Sequence, residues 1–338
     1  MKRVLVTGGT GYIGSHTVVE LQQQGYNVVI ADNLSNSEQS VIQRIASITG
    51  ITPAFEKTEC CDAVQVKALF DKYPDITAVI HFAAWKAVGE SVEKPLAYYR
   101  NNLFSLINIL EEMKQRKIKD LVFSSSCTVY GEPDTLPVHE LSPIKKAMSP
   151  YGNTKQISEE IIFDNSSSSL NAILLRYFNP IGAHESASIG ELPIGVPNNL
   201  VPFITQTAIG KRKELSVFGN DYDTRDGTCI RDYIHVVDLA KAHVIALKRL
   251  EEKKNETDVE IFNLGTGTGY TVLEVIHSFE KVSGEKLNYK IVDRRPGDVM
   301  QMWADTSLAN KTLGWKAEKG LDAMMESAWK WEIALRGK

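Results

Sequence analysis

Apolar and polar positions along the first half of the chain fall into two interleaved rhythms. Short runs that are apolar at every position (Val4-Leu5-Val6, Val28-Val29-Ile30, Ala78-Val79-Ile80, Leu121-Val122-Phe123, Ile173-Leu174-Leu175) are separated by longer amphipathic stretches. Continuous apolarity over a strand's length is expected where a sheet is covered on both faces. With their turn residues, these runs predict strands over 3–7, 27–31, 53–57, 77–83, 120–125 and 171–178. The intervening stretches predict helices over 12–24, 37–48 with Ser37 as N-cap, 63–73, 96–116 and 151–163. Strand–helix alternation of this kind predicts an α/β fold, a doubly wound parallel sheet of Rossmann type.

After Phe178 the rhythm breaks. Residues 179–199 are rich in Gly, Pro and Asn and predict a long functional loop. Shorter elements follow, including helices over 237–250 and 271–282. They predict a smaller mixed α/β C-terminal domain. The expected division is a cofactor domain over 1–178, with segments near 230–265 returning to it, and a substrate domain mainly over 179–338. Residues 166–169 read as a polar surface turn and 251–256 as a solvated charge run. No internal repeat is visible.

Composition narrows the classes. The 338 residues are 43 % hydrophobic and 24 % charged, which suits a globular chain with a sizeable core. The formal net charge is −4, so no basic nucleic-acid footprint is expected. No apolar run reaches the ~18 residues of a membrane span. The opening MKRVLVTGG enters a strand at once, unlike a secretory leader. Cys60, Cys61, Cys127 and Cys229 match no zinc spacing and suggest no disulfide framework, so reduced thiols and a cytoplasmic setting are expected.

Gly8-Gly9-Thr10-Gly11-Tyr12-Ile13-Gly14 stands between the first strand and first helix. Gly8, Gly11 and Gly14 permit a tight turn and close backbone approach to a pyrophosphate at the helix's positive end. Asp32 ends the second strand 18 residues after Gly14. A carboxylate there accepts from ribose hydroxyls and repels a 2′-phosphate, so NAD is expected rather than NADP.

Tyr151 and Lys155 are spaced i, i+4 and share one helix face. A free phenol has a pKa near ~10, and a nearby ammonium makes its anion accessible. Ser126, just beyond a strand, can hydrogen-bond a reacting hydroxyl. Glycine loop, serine-tipped strand and Tyr-x-x-x-Lys together predict a hydride-transfer site.

The motifs VTGGTGYIGSHT, DNLSNS, HFAAWKAVGESVEKP, FSSSCTVYG, SPYGNTK, LLRYFNPIGAH, VPNNLVPF, VFGNDYDTRDGTCIRDYIHVVDLA, FNLGTG and RRPGD run through nearly the whole chain. In them the sequence resembles the extended short-chain dehydrogenase/reductases, and within these the UDP-hexose 4-epimerases. That resemblance implies Tyr151 as acid/base, Lys155 as its tuning partner and Ser126 as third member. It implies NAD contacts from Gly8, Gly11, Tyr12, Ile13, Gly14, Asp32, Asn33, Ser37, Glu59, Cys60, Phe82, Ala83, Lys86, Asn101 and Phe178, besides Tyr151 and Lys155. It implies UDP-hexose contacts from Ser126, Tyr151, Asn179, Asn199, Leu200, Phe218, Arg231, Arg295, Asp298 and Met302. Arg231 and Arg295 suit a diphosphate, Phe218 the uracil and Asp298 a sugar hydroxyl. No metal is implied, and a homodimer through the helices over 96–116 and 151–163 is.

Other readings attach to single positions. Arg231 could pair with its neighbour Asp232, Phe82 could be core, and His81 and His235 read as structural. Thr58-Glu59 stands where relatives carry Gly-Asp. Met302 stands where relatives carry a bulky Tyr or a small residue that gates N-acetylated sugars, so UDP-GlcNAc and UDP-GalNAc remain candidate substrates. A nucleotide-sugar 4,6-dehydratase would require carboxylates after Ser126, where Cys127 and Thr128 stand. A non-catalytic NAD sensor would not need Tyr151 and Lys155.

Overall fold

The computed structural model describes residues 2–166, 170–295 and 298–337. Most of the expected 166–169 turn, and Pro296 and Gly297 of RRPGD, lie outside the described residues. In chain order the strands are β1 Arg3–Thr7, β2 Asn27–Asp32, β3 Ala54–Lys57, β4 Ile76–His81, β5 Asp120–Ser126, β6 Asn171–Tyr177, β7 Asn179–Ile181, β8 Leu215–Phe218, β9 Ile230–His235, β10 Val259–Leu264, β11 Gly269–Thr271, β12 Tyr289–Val292 and β13 Gln301–Met302. The helices are α1 Tyr12–Gln23, α2 Ser40–Thr49, α3 Ala63–Lys72, α4 Val88–Glu93, α5 Pro95–Gln115, α6 Pro150–Asn165, α7 Leu200–Ala208, α8 Val236–Glu251, α9 Val272–Ser283 and α10 Leu321–Arg336.

Seven parallel strands form one sheet in the order β10-β6-β5-β4-β1-β2-β3. The chain winds outward from β1 in both directions, so the β1/β4 junction is the switch point where such sheets bind ligands. Alternation along each strand divides the core. Val4 and Val6 face a cluster with Val18, Val19, Leu239 and Leu247 from α1 and α8. Leu5 faces the opposite cluster with Leu69, Leu106, Ile109 and Ile162 from α3, α5 and α6. This two-sided burial is the physical reason that the strand cores are apolar throughout.

The remaining elements build a second body. Strands β11, β9 and β13 pair with one another, β7 joins β9, and β12 pairs with β8. Helices α7, α9 and α10 cover it through Val201, Ile204, Val275, Phe279, Met324 and Met325. Helix α9 is started by a reciprocal capping box between Thr271 and Glu274.

Two local expectations change. Ser37 does not cap α2, which starts at Ser40 after Gln39. Its hydroxyl instead meets Thr10 Oγ1 at 2.7 Å and donates to Asp32 Oδ1 at 3.2 Å, so a local polar cluster outcompetes the capping role. The loop expected over 179–199 opens with β7, because buried Ile181 pairs opposite His235 of β9.

Candidate active site

The glycine loop lies at the carboxyl ends of β1 and β4. Gly8 adopts φ +69°, and a Cβ there would lie 2.9 Å from Ala83 N. A Cβ on Gly14 would lie 2.2 Å from Gly8 O. Any side chain at either position would therefore displace backbone. Gly11 is the N-cap of α1, with no side-chain cap and no acid in the first turn. The opening amides of α1 and their partial positive charge thus face outward, as a bound pyrophosphate requires. Ile13 packs on the first core, and the Tyr12 hydroxyl donates to Gly182 O at 2.6 Å.

Asp32 fastens this loop to the turn that follows β2. Its Oδ2 accepts from Thr10 N at 3.2 Å, and its Oδ1 accepts from Leu34 N at 2.9 Å. Next to it, Glu59 folds back: Oε2 accepts from Asn33 Nδ2 at 2.8 Å and Oε1 from Cys61 N at 3.0 Å. The longer glutamate thereby braces Asn33. Cys60 is buried in the second core. Ala83 N donates to Thr7 Oγ1 at 3.3 Å. The Phe82 ring lies 4.7 Å from that of His243 and packs on the first core. Lys86 pairs with Glu191 at 3.3 Å, and Asn101 Nδ2 donates to Asn102 Oδ1 at 2.9 Å. Cradle, uncapped helix and a carboxylate at the end of β2 fit NAD.

Tyr151 enters α6 one residue after Pro150, at the N1 position that suits proline. The Ser149 hydroxyl accepts from Gly152 N at 3.1 Å and caps the helix. The phenol is buried, with Ser126 near enough to act on its titration. Burial drives its pKa well above the ordinary value and Tyr177 adds to the rise, while Ser126 opposes it. Ser126 also accepts from Thr128 N at 3.2 Å, which fixes its orientation at the tip of β5.

Lys155, one turn along α6, is buried with its ammonium donating to Ser124 O at 2.6 Å and lying 4.8 Å from the Phe123 ring centre. Burial lowers its pKa from 10.5 to about 8, against the upward pull of Glu159. Glu159 itself is forked by Arg176 at 2.9 and 2.6 Å. At neutral pH Lys155 keeps its charge.

The other wall comes from the second body. The charge of Arg231 on β9 acts to lower the Cys127 thiol; burial prevails and holds that thiol up at about 12. Arg231 meets Asp298 at 3.7 Å, and Arg295 forks Asp298 at 3.0 and 2.6 Å. The pairing of Arg231 with Asp232 does not form. Asp232 is turned inward, where it accepts from Thr266 N at 2.8 Å and Gly267 N at 3.1 Å. The Arg295 guanidinium sits 5.6 Å from the centre of the Phe218 ring, which is 40 % exposed. Asn199 is the N-cap of α7 without a side-chain cap bond and reaches Glu191 instead, while Leu200 packs on the third core. Asn179 opens β7 opposite Tyr233. Met302 pairs with Arg231 in register and is buried against Phe178 and Tyr130. His81 and His235 hold structural bonds, to Thr7 Oγ1 at 2.9 Å and from Val237 N at 3.1 Å.

Sequence reasoning missed Tyr177, whose hydroxyl lies 2.6 Å from Ser124 Oγ, and Glu191, which joins Lys86 to Asn199. Tyr177 could have been found, since it and Ser126 are register partners that end adjacent strands. Glu191 gives no periodic signal.

A glycine-cradled parallel sheet with a Tyr-x-x-x-Lys helix beside a serine-tipped strand defines an extended short-chain dehydrogenase/reductase. Residues 5–328 match the family model described as GDP-mannose 4,6 dehydratase. The chain is 52 % identical to UDP-glucose 4-epimerase of Homo sapiens, over 98 % of this chain and 96 % of that one. The structure of UDP-glucose 4-epimerase from Stenotrophomonas maltophila, with bound NAD and formylated UDP-arabinopyranose, is 49 % identical with a TM-score of 0.95, covering 100 % of this chain and 99 % of that one. That from Bifidobacterium longum, in complex with NAD+ and UDP, is 46 % identical with a TM-score of 0.94, covering 98 % of each chain. This chain belongs to the UDP-glucose 4-epimerase family.

Proposed function

We propose that the chain interconverts UDP-galactose and UDP-glucose, with Tyr151 as acid–base, Lys155 as its tuning cation and Ser126 as the hydrogen-bond partner of the reacting hydroxyl. One observation supports this reading: the Tyr151 phenol is buried one helical turn from the buried Lys155, with Ser126 acting on its titration. Bound NAD supplies an acceptor for the C4 hydride and returns it. Tyr151 takes the proton of the 4-hydroxyl and later restores it, while the 4-keto sugar turns over. Arg231 and Arg295 hold the diphosphate, which leaves the hexose free to rotate. Gly8, Gly11, Gly14 and Asp32 hold the pyrophosphate and ribose of NAD, with Asn33, Ser37, Phe82, Ala83, Lys86 and Asn101 along the same cleft.

The family model's description names a dehydratase. Elimination of water needs an acid and a base beyond Ser126, and the turn Cys127–Tyr130 carries no carboxylate. Epimerisation needs only the groups present.

The four cysteines are free, which suits a reducing compartment, and we place the protein in the cytoplasm; recovery in a secreted fraction would contradict that. Among the described residues no helix is long and apolar enough to cross a membrane. We further propose a homodimer through α5 and α6. The test of function is incubation with UDP-galactose and no added NAD, followed by chromatography. UDP-glucose is the expected product; a 4-keto-6-deoxy sugar or unchanged UDP-galactose would overturn the reading.

A further inference from the structure

Glu191 links one residue of each body, and its own backbone is held from behind. The Trp331 indole of α10 donates to Glu191 O at 3.0 Å. Gly190 lies against the same ring, where a Cβ would come within 2.5 Å of it. Arg44 of α2 lies over that ring at 5.3 Å and donates to Ser188 O at 3.3 Å. From this anchored turn the carboxylate reaches both ways. Oε1 meets the Lys86 ammonium of the first body at 3.3 Å and accepts from Asn199 Nδ2 at the start of α7. The Glu191 side chain is 12 % exposed, so water competes little for either bond.

The bond to Asn199 runs against the local rule. An N-cap asparagine ordinarily turns its carbonyl oxygen onto the amide of the second or third helical residue. In α7 the third is Pro202, which has no N–H, and Asn199 makes no cap bond. A carboxylate only accepts, so Glu191 obliges Asn199 to present Nδ2, not Oδ1. Nδ2 retains a second proton, and no capping side chain covers the Leu200 and Val201 amides. The start of α7 thus gathers donors, with the helix's positive end behind them, as a diphosphate requires. Without Glu191, Asn199 is free to turn Oδ1 onto Val201 N. That would close one amide and set a carbonyl oxygen where an anion has to sit. Lys86 offsets the Glu191 charge, which alone would oppose an anion at this helix end.

We propose that Glu191 is a positioning residue for the nucleotide sugar: it acts through Asn199, holding that amide donor-first so that it and the open end of α7 receive the diphosphate. The inference rests on the reading of this cleft as a UDP-hexose site. It assigns Glu191 to binding, with no part in the proton transfer at Tyr151.

The test is calorimetric titration of UDP into the full chain with its bound NAD, alongside KM and kcat for UDP-galactose. The variants are Glu191→Ala, Glu191→Gln, Asn199→Ala and the double variant Glu191→Ala with Asn199→Ala. Glu191→Ala should weaken UDP binding roughly tenfold and raise KM in step, with kcat within about threefold of wild type. Glu191→Gln keeps an acceptor oxygen for Nδ2 and should bind UDP within about threefold of wild type. The double variant should match Asn199→Ala within about twofold, since Glu191 then has nothing to act through. A Glu191→Ala protein that melts lower yet binds UDP within about twofold of wild type would make the contact merely structural and overturn the proposal. So would a double variant that loses roughly a further tenfold, because Glu191 would then act independently of Asn199. Should Glu191→Ala not fold, Glu191→Met keeps the volume without the oxygens and is read in the same way. Wild type that binds UDP and leaves UDP-galactose unchanged defeats the epimerase reading, while the UDP titrations still decide on Glu191; wild type without affinity for UDP defeats both.

Discussion

At the scale of single residues, Lys155 is where pH acts first. Burial disfavours its ammonium, so its pKa falls from 10.5 to about 8 and the proton leaves sooner than from a solvated lysine. Tyr151 needs a neighbouring cation to reach its anion. Turnover should therefore hold through neutrality and decline above about pH 8, as Lys155 becomes neutral. A pH–kcat profile checks this, and a profile flat to pH 10 would contradict the tuning role. Tyr151, Lys155 and Ser126 were legible in the sequence because helix periodicity and a strand end place them without knowledge of the fold. Asn102 and Thr154, 52 residues apart, were not legible, and neither were Lys86 and Glu191, 105 apart. Such contacts depend on which elements end as neighbours, and no local pattern encodes that.

Among elements, the long periodic ones were readable and several of the shortest were not. Helices α1, α3, α5 and α6 carry enough turns for an apolar stripe to emerge, and their observed ends lie within two residues of expectation. Helix α4 has 6 residues and β13 only 2, too few for any period to declare itself. Their existence is settled by tertiary packing. Helix α5 also shows a second face. Opposite buried Tyr98, Leu106 and Ile109 it exposes Leu96 at 82 % and Phe104 at 50 %, while α6, packed beside it, exposes Phe163 at 45 %. Apolar residues gathered on adjacent helices suit burial against a second copy. Size-exclusion chromatography with light scattering should give twice the chain mass, and Phe104→Glu with Phe163→Glu should give the single-chain mass with NAD retained. A wild-type monomer would contradict the homodimer.

At the scale of the molecule, the two bodies divide the chemistry. The seven-stranded sheet presents Gly8, Asp32, Ser126 and Tyr151, while the second body brings Arg231, Arg295, Asp298 and Phe218. The first body was legible from its βα rhythm. The second was legible as a smaller mixed α/β domain but not in its strand pairing, because its sheets draw on strands from 179 to 302 that pair out of sequence order. The most direct measurement is turnover of UDP-galactose by Tyr151→Phe, with its NAD content read by absorbance. The account predicts a fall of at least about 10²-fold in kcat with NAD retained, the usual scale for losing a general acid–base. Near-normal turnover by that variant would contradict it.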